Sequence, residues 1–245
     1  MRKSMLRSRP VRLLVWVMTF CIVVMPCRPA RALPAGENVT HGDVEFYTIG
    51  NNMVVVQGSG SAIVNYNSFS IAGSESVRFV QPGASAAILN RVTGGSSSTI
   101  AGDLLANGRV YLINPNGILF SSSAHVDVGA LVASGMNMSD DDFLSGRMYF
   151  SGGGGSVVNE GSIHAGRVYL VGANVENHGS ISAGRVILAA GRESVLIDRA
   201  AGGEIRVVID GDETLADAST NRFNIHAAVS NAQAQANGTA APEGE

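Results

Sequence analysis

Beyond residue 32 the chain has no cysteine and no lysine: Cys21, Cys27 and Lys3 are the only ones in 245 residues, and all three lie in the first 32. The rest of the chain therefore offers no thiol nucleophile, no disulfide framework and no Cys₄ or Cys₂His₂ zinc site. Charge is scarce as well, at 15% Asp, Glu, Lys and Arg against about 25% in ordinary soluble domains. Seven of the 17 basic residues (Arg2, Lys3, Arg7, Arg9, Arg12, Arg28 and Arg31) crowd into the first 32 positions, where there is no acid. That leaves 10 basic against 20 acidic side chains, a net of −10, in the remaining 213 residues. Such a balance excludes strong nonspecific attachment to nucleic acid or to an anionic membrane, both of which need positive excess. Glycine is what abounds: all 30 lie after residue 32, at twice the usual ~7%.

Residues 2–12 form a basic segment, followed by an unbroken apolar run of 13 residues from Leu13 to Met25 and then by Ala30-Arg31-Ala32, a small-x-small pattern. As a helix the run spans about 20 Å, short of the ~30 Å hydrocarbon core. It suits an export signal over residues 1–32, cut after Ala32, better than the competing reading, an uncleaved anchor. Lipid attachment at Cys27 is disfavoured by Pro26, which stands where a small residue is needed. No second apolar run reaches ten residues, so no stable membrane insertion is expected of the exported chain.

The chain repeats itself. Asn159-Glu160-Gly161-Ser162-Ile163-His164-Ala165-Gly166-Arg167-Val168-Tyr169-Leu170 aligns with Asn177 to Leu188 at a fixed offset of 18, with nine identities, and Gly108-Arg109-Val110-Tyr111-Leu112 carries the same phrase earlier. Repeats near this length imply a solenoid. Val168/Leu170 and Val186/Leu188 are expected to face a common interior, with Arg167/Tyr169 and Arg185/Ile187 outward. Asn-x-Gly and Ala-Gly fall between the strands, at corners where a φ > 0 backbone is expected. One coil cannot bury its apolar face alone, but stacked coils ~4.8 Å apart do, with Ile163 directly beneath Ile181. The fold class is thus all-β, a parallel β-helix; a β-sandwich has no reason to repeat nine identities at one offset. Val77–Val80, Val126–Val128, Val195–Ile197 and Ile205–Ile209 fit the same scheme. Val54 to Ile209 then makes roughly eight turns, a rod of about 40 Å. Leu33 to Asn52 is the expected N-terminal cap over an otherwise open edge. Ser134 to Gly155 breaks the rhythm and reads as an excursion, a loop or short hairpin, with Asp140-Asp141-Asp142 as an exposed turn. Ala227 to Glu245 has almost no apolar side chain larger than Ala, so the stretch 211–245 reads as a polar, disordered tail.

Four phrases then occur in order: Ile63-Val64-Asn65-Tyr66-Asn67-Ser68-Phe69-Ser70-Ile71, Glu75-Ser76-Val77-Arg78-Phe79-Val80-Gln81-Pro82, Leu89-Asn90-Arg91-Val92, and Gly108 through Phe120 with Asn114-Pro115-Asn116-Gly117-Ile118 at its centre. Together they resemble the N-terminal secretion domain of two-partner-secretion exoproteins, the filamentous-haemagglutinin-like family. The resemblance spans Asn38 to about Phe150, half of the exported chain. It implies a right-handed β-helix carried across the inner membrane by the general secretory route. It further implies recognition by the periplasmic polypeptide-transport-associated domains of a dedicated outer-membrane barrel transporter, release from a Gram-negative-type cell, and an adhesin-like role toward a host or surface receptor or glycan. The secretion domain would cover 33–155 and further coils 156–210. Asn-Pro-Asn-Gly-Ile is present once, at 114–118, while the family's earlier Asn-Pro-Asn-Leu motif is missing, and family members usually run on far longer. Read without the family, Pro115 presets φ near −65°, Asn116 tolerates the next turn position and Gly117 supplies φ > 0, so the motif is equally a tight corner needed for folding.

Other constellations carry less. The five histidines are scattered, and His164 and His178 are out of register with an 18-residue stack. Asp210-Gly211-Asp212-Glu213 lacks the bidentate acid a calcium loop needs at position 12, here Asn221, and reads as a solvated loop. Ser96–Ser98 and Ser121–Ser123 have no His/Asp partners and suit corners. No metal or cofactor is implied. Arg109, Arg167 and Arg185 are expected to stack as an outward ladder. The leading expectation is a secreted, non-enzymatic β-helix bearing an export address. A β-helical polysaccharide lyase or hydrolase, which needs carboxylates or basic residues on one face over several coils, and a truncated product without its own role are the alternatives.

Overall fold

A computed structural model describes residues 32–199, 205–210, 212–216 and 227–229. The chain enters through β1 (Asn38–His41) and β2 (Val44–Ile49), then winds six times around one apolar interior. The first coil holds β3 (Asn52–Gln57) and β4 (Ser61–Tyr66); the second β5 (Ser76–Val80), β6 (Ala87–Val92) and β7 (Ser98–Ile100); the third β8 (Asp103–Ala106), β9 (Arg109–Ile113) and β10 (Ile118–Phe120). The fourth holds β11 (His125–Val128) and β12 (Ala130–Ser134), makes an excursion through β13 (Met136–Asn137), α1 (Asp140–Ser145) and β14 (Met148–Gly153), and closes with β15 (Ser156–Asn159). The fifth holds β16 (Ser162–Ala165), β17 (Val168–Gly172) and β18 (Asn174–Asn177); the sixth β19 (Ser180–Ala183) and β20 (Val186–Ala190). After it come β21 (Ser194–Arg199), β22 (Ile205–Ile209), β23 (Asp212–Ala216) and β24 (Ala227–Val229).

Strands of successive coils pair in parallel to form three faces: β3-β5-β8-β11-β16-β19, β4-β6-β9-β12-β17-β20, and β7-β10-β15-β18. Each coil is a crossover between parallel neighbours, the connection that a right-twisted strand makes right-handed. Register follows the apolar column: Met53 stacks on Val77, Val77 on Leu104, Leu104 on Val126, Val126 on Ile163 and Ile163 on Ile181. All six are buried, and each such side chain contributes about 1.5–3 kcal/mol on leaving water. The expected cap is real, because β1 runs antiparallel to β4 and β2 antiparallel to β3, covering the first edge of two faces.

Three expectations are corrected. The number of turns is six rather than eight, because Val195–Ile197 and Ile205–Ile209 do not continue the stack. Instead β21, β22 and β23 form an antiparallel meander that joins β14 and β13 in a separate sheet. That sheet and α1 cover the outside of the β4–β20 face. Outward-pointing Ile63, Leu89, Tyr111, Ile113 and Ile187 are consequently buried against Phe143, Phe150, Val195 and Ile209. Ile187 points out of the coil as expected but does not meet solvent. The three aspartates form the first turn of α1, not a loop: Ser139 caps it by accepting the Asp142 N–H at 3.1 Å, and acids suit the positive end of a helix. Within the stretch read as a disordered tail, β23 and β24 are strands, and β24 lies antiparallel on β18.

The repeat glycines also act differently from expectation. Gly161, Gly166, Gly179 and Gly184 are absent from the positive-φ set among the described residues. They are needed for close approach. A Cβ on Gly179 would lie 2.2 Å from the Gly161 carbonyl oxygen, and one on Gly161 2.6 Å from that of Ser121.

Candidate functional site

The Asn114–Ile118 corner joins β9 to β10, and its geometry is set by Asn114, which has no exposed surface. The Asn114 side-chain amide donates to the Ser96 carbonyl at 3.0 Å and to Ser98 Oγ at 2.9 Å, while its Oδ1 accepts the Asn116 backbone N–H at 3.0 Å and its Nδ2 at 3.1 Å. The main chain closes the turn through Gly117 N–H to the Asn114 carbonyl at 2.9 Å, and Asn114 N–H reaches the Ser134 carbonyl one coil on, also at 2.9 Å. Gly117 takes φ +104°, the left-handed backbone expected of it. A Cβ there would meet the Ser156 carbonyl oxygen at 3.1 Å. Asn116 Nδ2 donates to the Gly94 carbonyl at 2.8 Å. The corner is thus hydrogen-bonded to the preceding coil at Gly94–Ser98 and to the following one at Ser134, and it lies close against Ser156.

The five residues differ in what they present. Asn114, Gly117 and Ile118 are buried, Pro115 is half-buried and Asn116 is exposed. Asn114 spends its hydrogen-bonding groups inside the protein, so only Pro115 and Asn116 offer surface to a second molecule. Of the two alanines of the small-x-small pattern, Ala30 lies outside the described residues. Ala32 is half-buried, and its N–H points to both Glu75 carboxylate oxygens, at 3.1 and 3.2 Å.

The remaining polar groups are dispersed. His164 pairs with Asp127 at 3.1 Å and His178 with Glu176 at 3.0 Å, both on the surface. The Glu176 carboxyl is held below its usual range by hydrogen bonds from His178 and Asn174. Among the described residues no three His, Cys, Asp or Glu side chains are grouped to hold a metal ion. The expected arginine ladder is interrupted, because the register puts Ala130 between Arg109 and Arg167; only Arg167 and Arg185 are neighbours.

Two acids do structural work that the sequence reading missed, since it gave Glu75 no role of its own and read Asp210 only as part of a solvated loop. Glu75 is buried, and nothing in its local pattern marks it. Asp210, at the left-handed φ of +50°, turns the chain between β22 and β23 and accepts the backbone N–H groups of Arg192, Glu193 and Ser194 at 2.7–2.9 Å. Desolvation raises its carboxyl, and those three donors together with the Arg192 charge outweigh it, for a net lowering. The Asp210-Gly211 dipeptide, a turn signal, was the available clue.

A family model described as the TPS secretion domain matches residues 30–241. A heme/hemopexin-binding protein of Haemophilus influenzae strain Rd is 43% identical over 105 residues, covering 43% of this chain and 12% of that protein. A second protein of the same description from Haemophilus influenzae is 42% identical over 87 residues, 36% of this chain and 9% of the other. The chain therefore spans a small fraction of the curated relatives it matches. Among solved structures, the secretion domain of HMW1 from Haemophilus influenzae superposes with a TM-score of 0.64 at 30% identity, over 74% of this chain and 48% of that one. Six parallel coils closed by an antiparallel cap, together with a match over most of the length, establish that the chain belongs to the TPS secretion domain family of two-partner secretion exoproteins.

Proposed function

We propose that the chain is the export address of a two-partner secretion exoprotein, and that the Asn114–Ile118 corner is where its outer-membrane barrel transporter reads that address. In this reading residues 1–32 direct passage through the inner membrane and are removed after Ala32. The secretion domain, residues 33–155, then meets the periplasmic polypeptide-transport-associated domains of the barrel, and the coils of 156–210 follow it out. The chain crosses unfolded, and each coil that closes outside buries another apolar layer, so folding opposes backsliding without ATP at the outer membrane. The observation that carries the reading is the family match over residues 30–241. The surface offered by exposed Asn116 and half-buried Pro115, on a corner whose other members are internally satisfied, supports the choice of surface. An adhesive role toward a host or surface receptor or glycan belongs to the exoprotein as a whole. The curated relatives are named for heme and hemopexin binding, and we assign the segment shared with them to export rather than to that binding.

Asn116→Ala separates docking from folding. The expected result is a melt within a few degrees of wild type together with loss of secretion through the cognate barrel. Asn114→Ala, which strips buried partners from Ser96 and Ser98, is expected to lower stability by about 2 kcal/mol. Equal secretion of wild type from cells with and without any two-partner barrel refutes the export assignment. Equal secretion of Asn116→Ala and wild type reduces the corner to a folding element.

A further inference from the structure

Glu75 is 4% exposed, lies in the turn that leads into β5, and has no cationic partner among the described residues. Its carboxylate is held by two main-chain donors: Ala72 N–H at 2.9 Å on Oε2, and Ala32 N–H on both oxygens. A carboxylate withdrawn from water without a counter-charge is costly. The donor shared by both oxygens sits at the residue that precedes the expected cut.

We propose that Glu75 is the seat of the amino terminus created when the leader is removed, so that an ion pair between its carboxylate and the Leu33 α-ammonium completes the first coil. The inference rests on the leader reading under Proposed function. Hydrolysis of the Ala32–Leu33 amide adds the hydroxyl of water to the Ala32 carbonyl and a proton to the Leu33 nitrogen, which gains a second and is an ammonium at neutral pH. The cut takes away the Ala32 N–H, leaving Glu75 with the Ala72 donor alone. It also creates, one residue and at most about 3.8 Å of chain away, a group with a full positive charge and three donors. The new end has little freedom to leave. The Leu33 side chain packs on the apolar interior and Pro34 is buried. Ala35 is paired with Ser68 through its N–H at 3.0 Å, and its carbonyl accepts from Asn67 at 2.9 Å. While the leader is attached the carboxylate holds a neutral amide; once it is gone the same site holds a charge of opposite sign. Signal removal thereby tightens the capped end of the rod, where winding begins.

The composition makes the test clean, because Lys3 is the only lysine and the α-amine is the sole primary amine of a chain starting at Leu33. That chain, released from a fusion by a specific protease, is treated with an acetylating N-hydroxysuccinimide ester at pH 7 and followed by mass. The amine is expected to react at least tenfold more slowly in the folded protein than in the peptide Leu-Pro-Ala-Gly, and Glu75→Gln to restore the peptide's rate. Should Glu75→Gln not fold, wild type acetylated in urea and refolded takes its place, with a lowered melt expected. A folded wild-type amine reacting at the peptide's rate, or a blocked chain with an unchanged melt, overturns the proposal. Terminal sequencing of the protein exported by cells tests the leader reading by itself, since a start other than Leu33 refutes that reading whatever the amine of the released chain does.

Discussion

The side-chain amide of Asn159 donates to Oδ1 of Asn177 at 2.7 Å, from one coil to the next and 18 residues on, with both residues wholly buried. Asn159 Oδ1 in turn accepts the Gly161 N–H at 3.2 Å. A polar rung inside an apolar stack is tolerable only because its groups are met, and it fixes the register of coil on coil. Asn159→Ala removes a donor and an acceptor together. The expected loss is about 1–3 kcal/mol, read as a lower denaturant midpoint, with Asn159→Gln also destabilised because its amide is displaced by a methylene.

Close approach of backbones gives a graded series. Gly179→Ala sets a Cβ 2.2 Å from the Gly161 carbonyl and is expected to destabilise strongly; Gly184→Ala, at 3.1 Å from the Gly166 carbonyl, mildly. Gly95→Ala, with open space around it, is expected to leave the melt unchanged or slightly raised. Thermal melts of the three variants check the order, and equal effects at 179 and 95 refute the close-packing account.

Much of the fold is legible in the residues, and the misreadings have physical causes. The 18-residue offset exists only where a coil carries no insertion, as between Ile163 and Ile181; Val126 stacks on Ile163 across the whole Ser134–Gly155 excursion. Periodicity therefore reveals the last coils and conceals the earlier ones. Val195–Ile197 and Ile205–Ile209 alternate like coil strands because a strand buried on one face looks the same in an antiparallel meander. The outer layer did leave a trace: β9 and β12 are buried almost residue for residue, as the continuous runs Val110–Ile113 and Ala130–Ala133 require of a sheet covered on both sides. For the candidate site, the turn chemistry of Pro115 and Gly117 was readable. The partners of Asn114 on the neighbouring coil were not, since Ser96 and Ser98 are brought to it only by stacking.

Arg91 ties that outer layer to the rod. It forms an ion pair with Asp140 at 2.6 Å, donates to the Met138 carbonyl at 2.7 Å and reaches Asn65 Oδ1 at 3.3 Å. Arg91→Leu is expected to free the excursion before the coils unfold. Limited proteolysis reads this as faster cleavage within 136–153, with the coil fragments persisting; unchanged cleavage kinetics refute the tether.

Asp210 gives a pH dependence of known sign. Its carboxyl is lowered in the folded protein, so the stabilisation is complete above the unfolded value of about 3.9 and fades as pH falls through the lower folded value. Asp210→Asn, which tolerates the left-handed backbone, keeps the turn without the charge. The difference in denaturant midpoint between wild type and Asp210→Asn is expected to be constant from pH 5 to 7 and to shrink below pH 4. A difference that grows on acidification contradicts the assignment.

The two antiparallel strands at the start give the rod a polarity comparable to that of a filament with one blunted end. A further parallel coil cannot be laid on β1 or β2 in the manner of the others, whereas at the far end antiparallel β24 covers β18 alone and, among the described residues, β19 and β20 have no strand beyond them. Each turn is a template for the one laid on it. The entropic penalty of nucleation falls on whichever turn forms first, and later turns add to an existing edge. Length thereby becomes adjustable at one end: a coil appended beyond β19 and β20 displaces only β24 from β18 and leaves those already wound unaltered.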